Sequence, residues 1–276
     1  MKKAFHLVLV ILFSYLLLNS HLLKAETLTF GIVPQQSAKK LAKLWTPICH
    51  YLSEKTGVTI QFSTAKDIPT FEKRLLEGQY DIAYMNPYHY TVFHQKPGYQ
   101  AIARQLNKKI KGIIVVKKDS SVRSLDELNG EKLAFPSPAA FAASVLPRAK
   151  IKSDGMDITP VYVSSHDSVY LNVAKGLFPA GGGVLRTLNN TNPNIKNQLR
   201  ILWTTPGYTS HAIATKPGLD ANIVSKVHQA LIDMNSDPRA KPLLEAIKFK
   251  GMQSAKNSDW DDVRALNITL LDHLLK

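Results

Sequence analysis

The side chains best suited to holding a small molecule meet at one junction, Tyr84-Met85-Asn86-Pro87-Tyr88-His89-Tyr90, where the apolar run 81–85 stops and a helix-compatible segment begins. Asn86 suits the N-cap and Pro87 the first helical position. The unpaired amides of such a helix start attract an anion, while flanking tyrosines offer flat apolar walls and hydroxyls. The same residues also fit a strand-to-helix turn whose tyrosines only pack against a core. Bond-making chemistry is not indicated: no Ser/His/Asp spacing, nucleophile elbow, Gly-rich phosphate loop or His-x-x-x-His pair occurs. His89 and His94 share a helix face poorly, so no metal site is expected there, and no cofactor is implied. Cys49 is the only cysteine, which excludes an intramolecular disulfide. It falls on the apolar face of a helix-like segment and reads as a buried, inert thiol.

The elements that position this junction alternate. Strand 28–33 leads through Pro34-Gln35-Gln36-Ser37 into helix 38–55, strand 58–62 leads into helix 68–77 with Gly78 as its stop, and strand 81–85 follows. That order predicts a parallel sheet with right-handed crossovers. After runs 101–105 and 112–116, the capped segment 124–130 opens a second α/β series: strand 132–135, helix 139–149, strand 159–163, helix 167–175 and the small-residue stretch 179–184, where backbone packs closely. Strands 200–206 and 211–215 come last, before helices alone over 221–235, 237–247 and 259–275. Two series and a helical tail predict two lobes, the first from 26–117 plus 212–276 and the second from 118–211. The chain crosses between them near 115–121 and 205–215. A ligand cleft then lies between lobes that hinge shut.

Residues 1–25 carry Lys2 and Lys3, then an apolar run over 7–18, and end at Leu23-Lys24-Ala25, a secretory signal with cleavage expected after Ala25. The run is shorter than the ~20 residues of a membrane span. The mature chain is therefore expected in a bacterial-type periplasm, with length enough for two lobes with real cores. The formal net charge is +14, of which Lys2, Lys3 and Lys24 supply three, leaving +11 on the mature chain. An exported chain meets little nucleic acid, and the lysines read as scattered along the sequence, so a solvated basic face is the expectation.

Leu28-Thr29-Phe30-Gly31-Ile32, Leu44-Trp45-Thr46-Pro47, Tyr80-Asp81-Ile82-Ala83-Tyr84, Leu125-Asp126-Glu127-Leu128-Asn129-Gly130 and Ser165-His166-Asp167 fall in an order that resembles the periplasmic binding proteins of phosphonate, phosphite and phosphate ABC transporters. The resemblance spans about 26–268. It implies an α/β, two-lobed type II periplasmic-binding-protein clamshell, each lobe a mostly parallel sheet flanked by helices. It also implies no catalysis, a monomer, a small-molecule ligand, and a membrane permease as partner. A membrane histidine kinase or cyclase served by a periplasmic sensor subunit is the alternative partner.

The family's ligand motif departs here. Its Ser-Thr-Ser-Gly run corresponds to Ala139-Ala140-Phe141-Ala142-Ala143, which keeps a helix start but loses the hydroxyl donors. Each charge-assisted hydrogen bond lost is worth ~1.5–3 kcal/mol, so a phosphonate held only by that motif would lose most of its affinity. His166 keeps the family's identity, whereas His211 stands where the family has an acid. The resemblance leaves a cleft of Gln35, Gln36 and Ser37 on the first loop, Tyr84, Asn86 and Tyr88 on the second, Ser137 and Phe141 on the third, and His166 and His211 from later loops. That set suits a small anion or zwitterion with an apolar or planar part, although a structural role fits each histidine equally.

Overall fold

The fold, taken from a computed structural model, is described for residues 27–276; the expected signal segment lies outside the described residues. The chain lays down β1 (Thr27–Ile32), β2 (Thr59–Ser63), β3 (Ile82–Met85), β4 (Gln100–Gln105) and β5 (Lys109–Ile110) before crossing to a second sheet. There it forms β6 (Gly112–Lys117), β7 (Lys132–Phe135), β8 (Thr159–Tyr162), β9 (Ala180–Val184) and β10 (Leu199–Thr204). It then returns for β11 (Tyr208–Thr209), β12 (Ala212–Thr215) and β13 (Met252–Ser254). One sheet has six strands in the order β13-β4-β12-β3-β1-β2, the other five in the order β10-β6-β9-β7-β8, and β5 and β11 pair as a short ribbon beside the crossings.

In the larger sheet β1, β2, β3 and β4 run one way and β12 and β13 the other. In the smaller sheet β6 alone runs against the rest. The strands of each α/β series thus share a direction; the reversed strand β6 follows the first crossing, and the reversed strands β12 and β13 both come after the second. The structure corrects the first crossing. Gly112–Lys117, expected in the first lobe, pairs with β9 and β10, so the chain changes sheets at Lys111, ahead of 115–121. The second change falls at 205–207. A strongly apolar run belongs at the centre of a sheet covered on both faces, which sequence order alone does not assign to one sheet or the other.

Helix α1 (Ala38–Thr56) buries Leu41, Trp45, Ile48, Cys49 and Leu52 on one face, and Gly57 ends it at φ 73° with its amide donating to Ser53 O. The Cys49 thiol is pushed up to about 12 by burial, as suits an inert core residue. Helices α2 (Ile68–Leu76) and α3 (Pro87–Phe93) start at Asp67 and Asn86, whose side chains accept from Thr70 N and His89 N. The expected helix over 139–149 opens instead as a π-helical turn, Phe141–Val145, running into α4 (Leu146–Ser153). Glycines decide that placement. A Cβ on Gly112 would lie 1.8 Å from Ala142 O and one on Gly182 1.9 Å from Ala143 O, so the turn rests directly on β6 and β9. Helices α5 (His166–Ala174) and α6 (Leu185–Asn189) complete the second series around the site.

The tail differs from the single helix expected over 259–275: a 3-10 turn at Asn257–Trp260 and one α turn at Asp261–Arg264 precede Asn267 at φ 49°. It packs on the first sheet's side, where Trp260 Nε1 donates to Ser210 O at 2.9 Å and Asp262 accepts from Thr209 N at 2.8 Å. The tail therefore fixes the corner that presents His211. Among the described residues no helix is long and apolar enough to cross a membrane, and no group of His, Cys, Asp and Glu is arranged to hold a metal.

Candidate functional site

The loops that follow β1, β3, β7, β8 and β9 meet at the seam between the two sheets, as the ends of strands do in α/β ligand sites. Backbone and side chains join across it. Gln35 O accepts from His166 N at 3.0 Å, Asn86 Nδ2 donates to Ala139 O at 3.3 Å, and Lys40 reaches both Asp167, at 3.9 Å, and Asn190 O. The Arg186 guanidinium donates to Gln35 Oε1. Residues 139–143, with Leu146 and Val184, join the hydrophobic core of the first sheet. Ala139-Ala140-Phe141-Ala142-Ala143 thus set an apolar face into the seam.

Inside that closed seam lies a cavity of about 10 Å³, lined among others by Gln35, Asn86, Phe141, His166 and His211. That is room for about one water, so a solute enters only when the two halves part. His166 is 1% exposed and its Nδ1 sits 3.1 Å from Thr187 Oγ1, which itself bonds Tyr170 Oη at 2.8 Å. Burial first, then the Arg186 charge, pushes the His166 pKa down to about 3, so the imidazole is neutral. His211 is likewise held well below its ordinary value by burial, with Arg186 next. Its ring stacks on Tyr84, 4.8 Å between centroids and 16° between planes, and Tyr84 leans in turn on Trp45. Burial also raises the Tyr84 hydroxyl pKa, so that group stays protonated.

A larger cavity of about 430 Å³ adjoins the first through Ile110, Val184 and His211. Its wall includes Tyr84, Gln105, Asn189 and Ser210, together with Lys108, Lys109, Lys111, Arg186 and Lys248, and no carboxylate. Lys109 is paired with Asp262 at 2.9 Å; the other cations have no acidic partner among the described residues. Buried polar atoms without a hydrogen-bond partner cluster at the seam: both amide atoms of Gln36, Ser137 Oγ, Ser210 Oγ and His211 Nε2.

The structure thus brings Asn86, Phe141, His166 and His211 together in the small cavity and Tyr84 and His211 in the large one. Gln36 and Ser137 are buried near the seam but line neither cavity. Two expected site residues lie elsewhere. Ser37 is exposed at the start of α1 and makes no capping bond. Tyr88 is turned away, its hydroxyl accepting from Leu271 N at 2.8 Å, because successive residues at a helix start face different sides. His89 is structural, its Nε2 lying 2.9 Å from Glu72 Oε1 in the core. Arg186 and the lysines were not anticipated. The run Lys108-Lys109-Ile110-Lys111 is a local block at odds with a scattered basic face, whereas Lys248 and Arg186 are brought to it only by the fold.

The model of the family described as "ABC transporter, phosphonate, periplasmic substrate-binding protein" matches residues 30–260. The phosphate-import protein PhnD of Mycolicibacterium smegmatis is 22% identical over 234 residues, covering 73% of this chain and 70% of that protein. A binding protein component of an ABC phosphonate transporter from Pseudomonas aeruginosa superposes with a TM-score of 0.82 at 16% identity, over 88% of this chain and 86% of that one. A Prochlorococcus marinus protein solved in complex with methylphosphonate superposes with a TM-score of 0.80 at 19% identity, over 88% and 99%. At these identities the solved structures are alike in fold, a two-lobed α/β architecture. The family match covers most of the chain, so this protein belongs to the phosphonate-type periplasmic substrate-binding proteins of ABC transporters.

Proposed function

We propose that the chain captures a small oxyanion of the phosphate, phosphite or phosphonate type between its two lobes and hands it to an ABC permease, without chemistry of its own. The observation that carries this reading is Arg186, a fixed positive charge at a buried seam whose bonding partner is the neutral amide of Gln35. A guanidinium there has donors to spare, and a tetrahedral oxyanion matches their geometry. Ser210 Oγ and His211 Nε2, buried, without a partner and lining one cavity with Arg186, would complete its shell. Buried polar groups are otherwise hydrogen-bonded, so their convergence supports a ligand site. Delivery to the site is proposed to follow export by the 1–25 signal and release of the mature protein, as a monomer, into the periplasm.

The lost family hydroxyls at Ala140, Phe141 and Ala142 mean that Arg186 and the seam amides must supply what those side chains do not. Calorimetry on residues 26–276 with phosphate, phosphite, methylphosphonate and 2-aminoethylphosphonate is the test. The expected result is saturable binding of at least one of these phosphorus oxyanions, weakened tenfold or more in Arg186→Gln. Absence of binding by all four sinks the reading.

A further inference from the structure

We infer that the solute carries a second anionic group on a short spacer, with the first anionic group held at Arg186, Ser210 and His211 and the second at the lysines of the 430 Å³ cavity. This rests on the oxyanion reading above and narrows it to one ligand class: a phosphonate or phosphate ester bearing a carboxylate or a further phosphoryl group. A zwitterion with an amino tail does not belong to it.

The base and the rim of the cavity differ in kind. Ser210 and His211 are each 4% exposed, and Ser210 Oγ and His211 Nε2 are without a partner. Lys108, Lys111 and Lys248 are exposed and pair with no carboxylate among the described residues. Three unneutralised ammonium groups facing one concavity repel one another, so an anion between them is favoured and a cation excluded. His211, neutral by burial and next to Arg186, offers no negative charge to an amino group. No carboxylate lines the cavity to receive a positive tail. Lys248 itself occupies a left-handed position, φ 61°, just past the helix Lys241–Ala246.

The probes are methylphosphonate, phosphonoacetate and 2-aminoethylphosphonate, which share one head and end in nothing, a carboxylate and an ammonium. Dissociation constants are measured by calorimetry at fixed ionic strength on the mature chain and on the double variant Lys111→Gln/Lys248→Gln. Phosphonoacetate is expected to bind at least about tenfold tighter than methylphosphonate, with 2-aminoethylphosphonate weakest. The double variant is expected to bring phosphonoacetate to the methylphosphonate level while methylphosphonate stays within about twofold, since it reaches only the base. Equal weakening of both ligands means that the lysines only raise the local concentration of anions, and overturns the inference. Methylphosphonate or 2-aminoethylphosphonate binding as tightly as phosphonoacetate overturns it too, while leaving oxyanion capture intact. Binding of none of the three overturns the inference, and failure of phosphate and phosphite as well removes oxyanion capture too.

Discussion

Arg186 and Gln35 join the two halves of the molecule across the seam, guanidinium to amide oxygen, while the Gln35 carbonyl accepts from His166 N at 3.0 Å. One residue of the first lobe therefore satisfies both the charge and the helix start that would otherwise face an anion. Gln35→Ala removes that competitor. The expected outcome is affinity for a phosphorus oxyanion equal to or above wild type, against a loss of tenfold or more in Arg186→Gln, both read by calorimetry.

The buried histidines set the acid limb of stability. His166 has its pKa pushed from 6.5 down to about 3 and His211 is lowered as well, so both are neutral when folded, whereas the unfolded chain takes up these protons as pH falls below 6.5. The unfolded state then binds more protons and stability falls with pH, at ~1.4 kcal/mol per unit for each histidine at full slope. Between pH ~6.5 and ~5, before the depressed carboxyls of Asp81 and Asp237 contribute, His166→Gln should flatten the fall seen in urea midpoints. An unchanged slope contradicts the assignment.

Tyr88 is a structural residue. Tyr88→Phe leaves Leu271 N without its partner and should lower unfolding free energy by ~1–3 kcal/mol, measured in urea, with oxyanion affinity unchanged.

Gly182 admits the π-helical turn to the sheet. Gly182→Ala places a methyl 1.9 Å from Ala143 O and 2.6 Å from Phe135 Cδ1, so backbone must move. A loss of ~1–3 kcal/mol in chemical denaturation is expected, with weaker ligand binding because 141–145 shifts.

Lys248→Gly relieves a left-handed lysine and should raise stability by up to ~1 kcal/mol in thermal or urea unfolding, part of the relief being offset by the freedom glycine gains when unfolded. The same variant should weaken a doubly anionic ligand.

Much of the frame was legible because its signals are local. Asn86-Pro87 announces a capped helix, Leu41, Trp45, Ile48 and Cys49 a buried face, and 179–184 a strand stripped of side chains. The two-lobed family fold followed from short matches in order. What stayed hidden is non-local. The edge strand Met252–Ser254 is short and earns its place only by pairing with β4, and Gly112–Lys117 reads the same in either sheet. Of the site, Asn86, Phe141, His166 and His211 were visible as residues at strand ends, but the Tyr88 orientation depends on a partner 183 positions away. Arg186 follows a glycine strand with no motif to mark it, and its role comes from a half-buried place at the seam next to two histidines.

The apolar face formed by 139–143 also has a kinetic meaning. Because it is packed into the first lobe's core, parting the halves exposes it to water at ~25 cal/mol per Å². Opening is then an uphill event that precedes entry, and a solute can be taken up no faster than the seam breathes. The observed association rate should climb with solute concentration and level off, and the plateau would time how long the protein keeps its door shut.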